Sequence, residues 1–134
     1  MQKSYIDKLA FIDIKDKQIL STLSKGKDIW YIPGGKREDR ETDEQALIRE
    51  VKEELKVDII PESIVLYGIF EAQAHGKPEG TVVRMTCYTA HYSGKLQASA
   101  EVDEYRYVPY TWKDKSSAVD QLIFDDMKEK GLIE

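Results

Sequence analysis

Three carboxylates on one predicted helical turn constrain this chain more than any other feature. Glu50, Glu53 and Glu54 stand at i, i+3 and i+4, so a helix brings them to one face about a turn long. On a plain surface helix they would repel one another. The arrangement becomes favourable when a hard divalent cation, which prefers oxygen ligands, sits among them. Thr42 and Gln45 have capping-box spacing, which predicts a helix start at Thr42. Leu47, Ile48, Val51 and Leu55 then form an apolar stripe, with Ala46 at its margin. Glu50 and Glu54 border that stripe, whereas Arg49 and Glu53 point further round. The helix is therefore expected to pack on a sheet and present its carboxylates at the edge of a cleft.

The remaining pattern is mostly extended. Segments 5–14 and 18–23 are β-rich and flank the polar turn Lys15-Asp16-Lys17, which predicts a hairpin. A short strand at 29–32 ends at Pro33-Gly34-Gly35, which is expected to release the backbone from regular structure. Further strands are predicted at 57–60, 64–74, 81–92 and 105–110, with a polar loop over 95–102. Val119, Leu122, Ile123, Phe124 and Met127 suit a last helix, capped near Ser116 or Ser117 and closed by Gly131. At 134 residues the chain fits one α+β domain spanning 1–134, with enough length to bury a core without staples.

Charge and cysteine content narrow the function classes. A formal net charge of -5 gives no sign of a general nucleic-acid or anionic-membrane binder. A phosphate substrate remains compatible, because a bound cation changes the local sign. The single Cys87 rules out an intrachain disulfide or a zinc site built from cysteines. With no signal peptide or membrane span in the pattern, a cytoplasmic location is expected.

From Gly35 to Val57 the chain resembles the signature box of the Nudix hydrolase superfamily. That box reads Gly, five residues, Glu, seven residues, Arg-Glu, apolar, any, Glu-Glu, any, Gly, apolar. Gly35, Glu41, Arg49, Glu50, Val51, Glu53, Glu54 and Val57 match in register, and Lys56 stands where the family usually has glycine. The approach Trp30-Tyr31-Ile32-Pro33-Gly34-Gly35-Lys36 is also similar to the family's. The resemblance implies an α/β/α sandwich with a mixed sheet and a loop-helix-loop box. It implies hydrolysis of a nucleoside diphosphate linked to another moiety, with magnesium or manganese. Carried over by position, Glu53 and Glu54 are the main metal ligands, and Glu50 binds metal or activates water. Gly35 offers its carbonyl oxygen, and Glu41 pairs with Arg49 to hold the loop against the helix. An acid from outside the box is expected at Glu101 or Glu104, as metal ligand or general base. Elementary chemistry agrees. A pyrophosphate bridge resists attack because its oxygens are negative, and a metal clamp with a nearby glutamate removes that obstacle.

The short chain resembles the small MutT-like branch that cleaves nucleoside triphosphates, oxidised forms included, to monophosphate and pyrophosphate. ADP-ribose or a nucleotide sugar is the alternative substrate, and a non-catalytic nucleotide-sensing module is the rival from another class. Trp30 and Phe70 are candidates for stacking on a base, Lys36 and Arg37 for meeting phosphates, and His75 for bordering the cleft. Each has a plainer reading as core or solvated surface. Lys56 replaces a residue that closes a helix in the left-handed region, so its expected effect falls on stability rather than chemistry. A small-molecule nucleotide is the expected partner, and a homodimer enters only as a family tendency.

Overall fold

The run Leu9-Ala10-Phe11-Ile12 sets the layering of the molecule. It ends strand β1 (Ser4–Ile12), and each of the four side chains is at most 2% exposed. Leu9 and Phe11 pack with Leu47, Val51 and Leu55 of helix α1 (Asp43–Leu55). Ala10 and Ile12 pack on the opposite face, with Ile123, Phe124 and Met127 of helix α2 (Ala118–Glu129). A strand covered on both faces loses polar alternation and reads as a continuous apolar run. Each large side chain so buried contributes roughly 1.5–3 kcal/mol of transfer free energy. Two helices enclosing one sheet make the α/β/α sandwich expected from the resemblance.

The computed structural model describes residues 3–74 and 76–134. After β1, the chain forms β2 (Ile14–Lys15), β3 (Gln18–Ser24), β4 (Trp30–Tyr31) and β5 (Gly34–Gly35). Beyond α1 come β6 (Asp58–Ile59), β7 (Val65–Gln73), β8 (Thr81–Thr89), β9 (Tyr92–Ser93) and β10 (Val102–Val108). One mixed sheet has the order β5-β1-β8-β7, with β1 parallel to β8 and the other neighbours antiparallel. A second, antiparallel sheet runs β10-β3-β2, with β4 also on β3, while β6 pairs with β9.

Three sequence expectations change here. The hairpin is confined to Ile14 and Lys15 against Gln18 and Ile19, around Asp16 and Lys17 with φ of 51° and 60°. The body of β1 joins the other sheet, because residues 9–12 need cover on both faces and a two-stranded hairpin cannot supply it. Gly34 and Gly35 do not leave regular structure; they pair with Ala10 and Leu9. The last strand begins at Val102 rather than 105, since Val102 is itself buried. Among the described residues no helix is long and apolar enough to cross a membrane.

Helix α1 starts as its spacing predicts. Gln45 N–H donates to Thr42 Oγ1 at 3.1 Å, and Thr42 N–H donates to Gln45 Oε1 at 3.0 Å. It ends at Lys56, held at φ 61° and ψ 24° with its N–H donating to Lys52 O. That left-handed conformation places a Cβ against backbone, which glycine avoids. We expect Lys56→Gly to raise stability by roughly 0.5–1 kcal/mol, read as a higher urea midpoint at unchanged m-value. Turnover should stay intact; a large change in rate would show that Lys56 touches substrate.

Candidate active site

The site is built where a backbone strap runs antiparallel along β1 on its way to α1. At Gly34 a Cβ would stand 1.9 Å from the Leu9 carbonyl oxygen, and φ there is +148°. Only glycine passes so close. At Gly35 a Cβ would lie 2.6 Å from Glu50 Cδ, so this glycine leaves room for a carboxylate. Just upstream, Ile32 N–H donates to Asp120 Oδ2 at 2.9 Å, which ties the strap to the first turn of α2. Asp120 is fully buried, and burial pushes its carboxyl up to about 6 against the opposing effects of Ile32 N–H, Ser117 and Lys8.

Arg49 organises the acids of the box. Its Nε and Nη2 donate to Glu41 at 2.7 and 2.9 Å, a bidentate pair of the strong charge-assisted kind. Glu41 also accepts from Glu38 N–H at 2.7 Å. Arg49, then that amide, holds the Glu41 carboxyl down at about 2. Nη2 also donates to Lys36 O at 3.0 Å, which fastens the loop to the helix. Nη1 reaches Glu50 at 2.9 Å and Glu53 at 3.4 Å. Glu41 and Arg49 thus sit in a clamp between loop and helix.

Glu54 stands apart from this clamp. Its Oε1 accepts from Gly34 N–H at 3.1 Å, and no cation pairs with it among the described residues. Burial pushes its carboxyl up to about 8, and the charges of Glu50, Glu101 and Glu53 push the same way. Glu50 is raised too, first by burial, with Arg49 opposing. Glu54, Gly34, Gly35 and Glu101 line one cleft of 300 Å³, together with Lys8, Lys25, Lys27 and Tyr31. The loop carrying Glu101 is pinned from two sides: Ser99 N–H donates to Glu54 O, and Lys25 N–H donates to Glu101 O.

The other candidates fall in different places. Glu104 lies within β10 and reaches Arg106 Nε at 3.4 Å; it is not among the residues lining the cleft. Trp30 is 7% exposed and meets Trp112 edge to face at 5.2 Å, so its ring has no open face for a base. Phe70 stacks on Tyr67 at 6.4 Å and packs against the core on the α2 side. Arg37 is engaged by Asp43 at 2.5 Å and by Asp7 at 3.9 Å. Lys36 borders a neighbouring pocket. His75 lies outside the described residues. Lys8, Lys25, Lys27 and Asp120 escaped sequence reasoning. A signal existed only for Lys8, which interrupts the α2-facing series Ile6, Ala10 and Ile12.

A divalent cation fits these residues chemically. The donors are carboxylate and carbonyl oxygens, as a hard cation requires, and Glu54 is a desolvated carboxylate with no positive partner. The missing Cβ at Gly35 keeps Glu50 beside the Gly35 backbone. Yet among the described residues no three acidic, histidine or cysteine side chains converge into a ready ligand set. Arg49 draws Glu50 and Glu53 one way, and Gly34 N–H draws Glu54 the other.

The family model described as NUDIX domain matches residues 10–122. A 30-residue stretch is 60% identical to an 8-oxo-dGTP diphosphatase of Proteus vulgaris, covering 22% of this chain and 27% of that protein. The MutT protein from Methanosarcina mazei superposes with a TM-score of 0.75 at 18% identity, over 98% of both chains. A MutT NUDIX hydrolase from Burkholderia pseudomallei gives 0.73 at 19% identity, over 92% of this chain and 98% of that one. Structural likeness at such identities speaks for the fold alone, whereas the family match spans most of the chain and includes the whole acidic box. This chain belongs to the NUDIX domain family.

Proposed function

We propose that the cleft hydrolyses the pyrophosphate linkage of a nucleoside diphosphate derivative, first of all a nucleoside triphosphate, to monophosphate and pyrophosphate. Oxidised nucleotides belong within this reading, given the stretch similar to an 8-oxo-dGTP diphosphatase. The observation that carries it is Glu54, a half-buried carboxylate that accepts from Gly34 N–H, makes no ion pair among the described residues, is raised to about 8 and lines a cleft with Glu101. A structural carboxylate withdrawn from water is normally paired. This one is left open to a positive ligand.

Nudix hydrolases generally use divalent metals, and we assign magnesium, with manganese as alternative, to Glu50, Glu53, Glu54 and the carbonyl oxygen of Gly35. When bound, such an ion neutralises the bridge oxygens and makes an attacking water more acidic. The chain's own residues supply the rest. Arg49 restrains Glu50 and Glu53 through its Nη1. Glu50 or Glu101 takes the proton from the water as its oxygen joins phosphorus. The bridging oxygen leaves with the bond electrons as a phosphate anion, which Lys25 and Lys27, lining the same cleft, attract. Between the two acids outside the box we assign the role to Glu101, because Glu104 is occupied by Arg106.

Glu53→Gln and Glu54→Gln should each cut kcat by about a hundredfold or more while circular dichroism and melting stay native-like. The assay is pyrophosphate release from a panel of nucleoside triphosphates, 8-oxo-dGTP and ADP-ribose with magnesium. Near-native rates in both variants would remove the assignment, and tight binding without product would make the protein a sensor.

Glu101→Gln should lower kcat far more than Glu104→Gln, which should change it less than about threefold. Equal losses would return the general base to Glu50 alone.

The raised carboxyl of Glu54 also fixes the sign of a pH dependence. Its folded value lies above the ordinary 4.5, at about 8, so its stabilising contribution is full below 4.5 and is lost as pH rises through 8. The metal-free protein should therefore lose melting temperature across that window, and Glu54→Gln should flatten the decline. Magnesium uptake at pH 7 should release a proton, seen by calorimetry in buffers of different ionisation enthalpy.

A further inference from the structure

Glu101 reaches the cleft from a loop that also closes the end of α1. A helix leaves its last carbonyls without partners of its own. Here Gln97 N–H donates to Leu55 O and Ser99 N–H donates to Glu54 O, each at 2.9 Å. The loop therefore caps the turn that bears Glu53 and Glu54, and it does so with backbone alone. Lys25 N–H donates to Glu101 O at 2.8 Å, which ties the same loop to the segment after β3. Between these attachments Val102 N–H donates to Ser99 O at 3.0 Å and closes a turn over Ala100 and Glu101.

Ala100 holds φ at 53° in that turn, and Glu101 does not share the left-handed region. Positive φ at the first central residue of a turn is ordinarily occupied by glycine, because a Cβ there meets the backbone. Packing does not impose the conformation, since the Ala100 side chain is exposed. Nor does a bond of its own, since the Ala100 N–H makes no main-chain bond among the described residues. The bonds of its neighbours hold it. A strained residue persists only where its surroundings over-determine it. Apart from the hairpin pair Asp16 and Lys17, the described non-glycine residues at positive φ are Arg40, Lys56 and Ala100. All three border the site: Arg40 in the box loop, Lys56 at the end of α1, and Ala100 beside Glu101.

We propose that Ala100 is the positioning residue for Glu101: its left-handed backbone carries the acid into the cleft and holds it in register with Glu54. The inference rests on the reading that Glu101 serves hydrolysis there. Glu101 and Glu54 line the same cleft, and the charge of Glu101 acts on both Glu50 and Glu54. At negative φ the chain would leave Ser99 in another direction. Either Glu101 would lose its place in the cleft, or the loop would release the end of α1. The bonds from Gln97, Ser99 and Lys25 thus make the helix end and the outside acid one unit, with Ala100 as its bend. A residue that accepts positive φ can serve at this position. One that refuses it costs turnover without costing affinity.

The test varies position 100 in the intact chain. Ala100→Gly and Ala100→Asn accept the left-handed region and should keep kcat within about twofold of wild type. Ala100→Pro fixes φ at about -65°, and Ala100→Val crowds the left-handed backbone. Both should lower kcat about tenfold or more, with KM for nucleoside triphosphates changed less than about twofold. Circular dichroism should show every variant folded. In the Glu101→Gln background, Ala100→Pro should cost less than about twofold further, because the acid it places is already lost. Amide hydrogen exchange reads the turn without any turnover. The Val102 N–H should exchange about tenfold faster in Ala100→Pro and as wild type in Ala100→Asn. Full turnover with proline and valine, losses as large with glycine and asparagine, or an additive loss in the double variant would overturn the proposal. Near-native turnover of Glu101→Gln, with Val102 exchange still set by residue 100, would instead defeat the catalytic reading of Glu101 and leave its placement by Ala100 standing.

Discussion

At Gly34 the chain runs against β1 so closely that a Cβ would stand 1.9 Å from the Leu9 carbonyl oxygen. Everything in the site depends on that passage. Pairing of Gly34 with Ala10 and of Gly35 with Leu9 sets the strap on the edge of the mixed sheet. From there the Gly34 N–H meets Glu54, and the bare Cα of Gly35 admits the Glu50 carboxylate. A side chain at either position would push α1 away from the strand it covers. The two glycines are thus packing requirements first, and they place the acids as a consequence.

Within α1 the charges divide into two kinds. Arg49 lies within ion-pair distance of Glu38, Glu41, Glu50 and Glu53. Its strongest bonds, to Glu41, hold loop and helix together and keep that carboxyl ionised well below its usual range. Glu54 receives no such help. Desolvated and surrounded by like charges, it is raised to about 8. One guanidinium stabilises the frame, and one carboxylate is left where a cation would relieve its cost.

The basic side of the cleft comes from elsewhere in the chain. Lys8 arrives on β1, and Lys25 and Lys27 on the loop after β3. Acidic and cationic side chains thus line the same cleft, a mixed lining compatible with the phosphate substrate proposed above. The overall charge of -5 does not reveal this local lining, in which three lysines stand with two glutamates.

Much of the structure is legible in the sequence alone. The helix start at Thr42, the shared face of Glu50 and Glu54 and the strained closure at Lys56 follow from short-range chemistry, which acts within one or two turns; the last helix starts at Ser117, one of the two serines expected, but without a capping bond. Long-range decisions were not legible. The apolar run 9–12 reads equally as hairpin strand or central strand, and only burial between α1 and α2 makes it central. Trp30 and Phe70 read either as stacking platforms or as core, and packing against Trp112 and Tyr67 decides for the core. Glu101 and Glu104 are three residues apart and chemically alike; the pinned loop and the β10 register separate them. By itself, then, the order of residues determined the acidic helix face, its caps and the family. Which lysines meet it, which acid joins it and which aromatics are lost to the core were decided by the tertiary structure, because those choices depend on contacts between distant segments that no local spacing encodes.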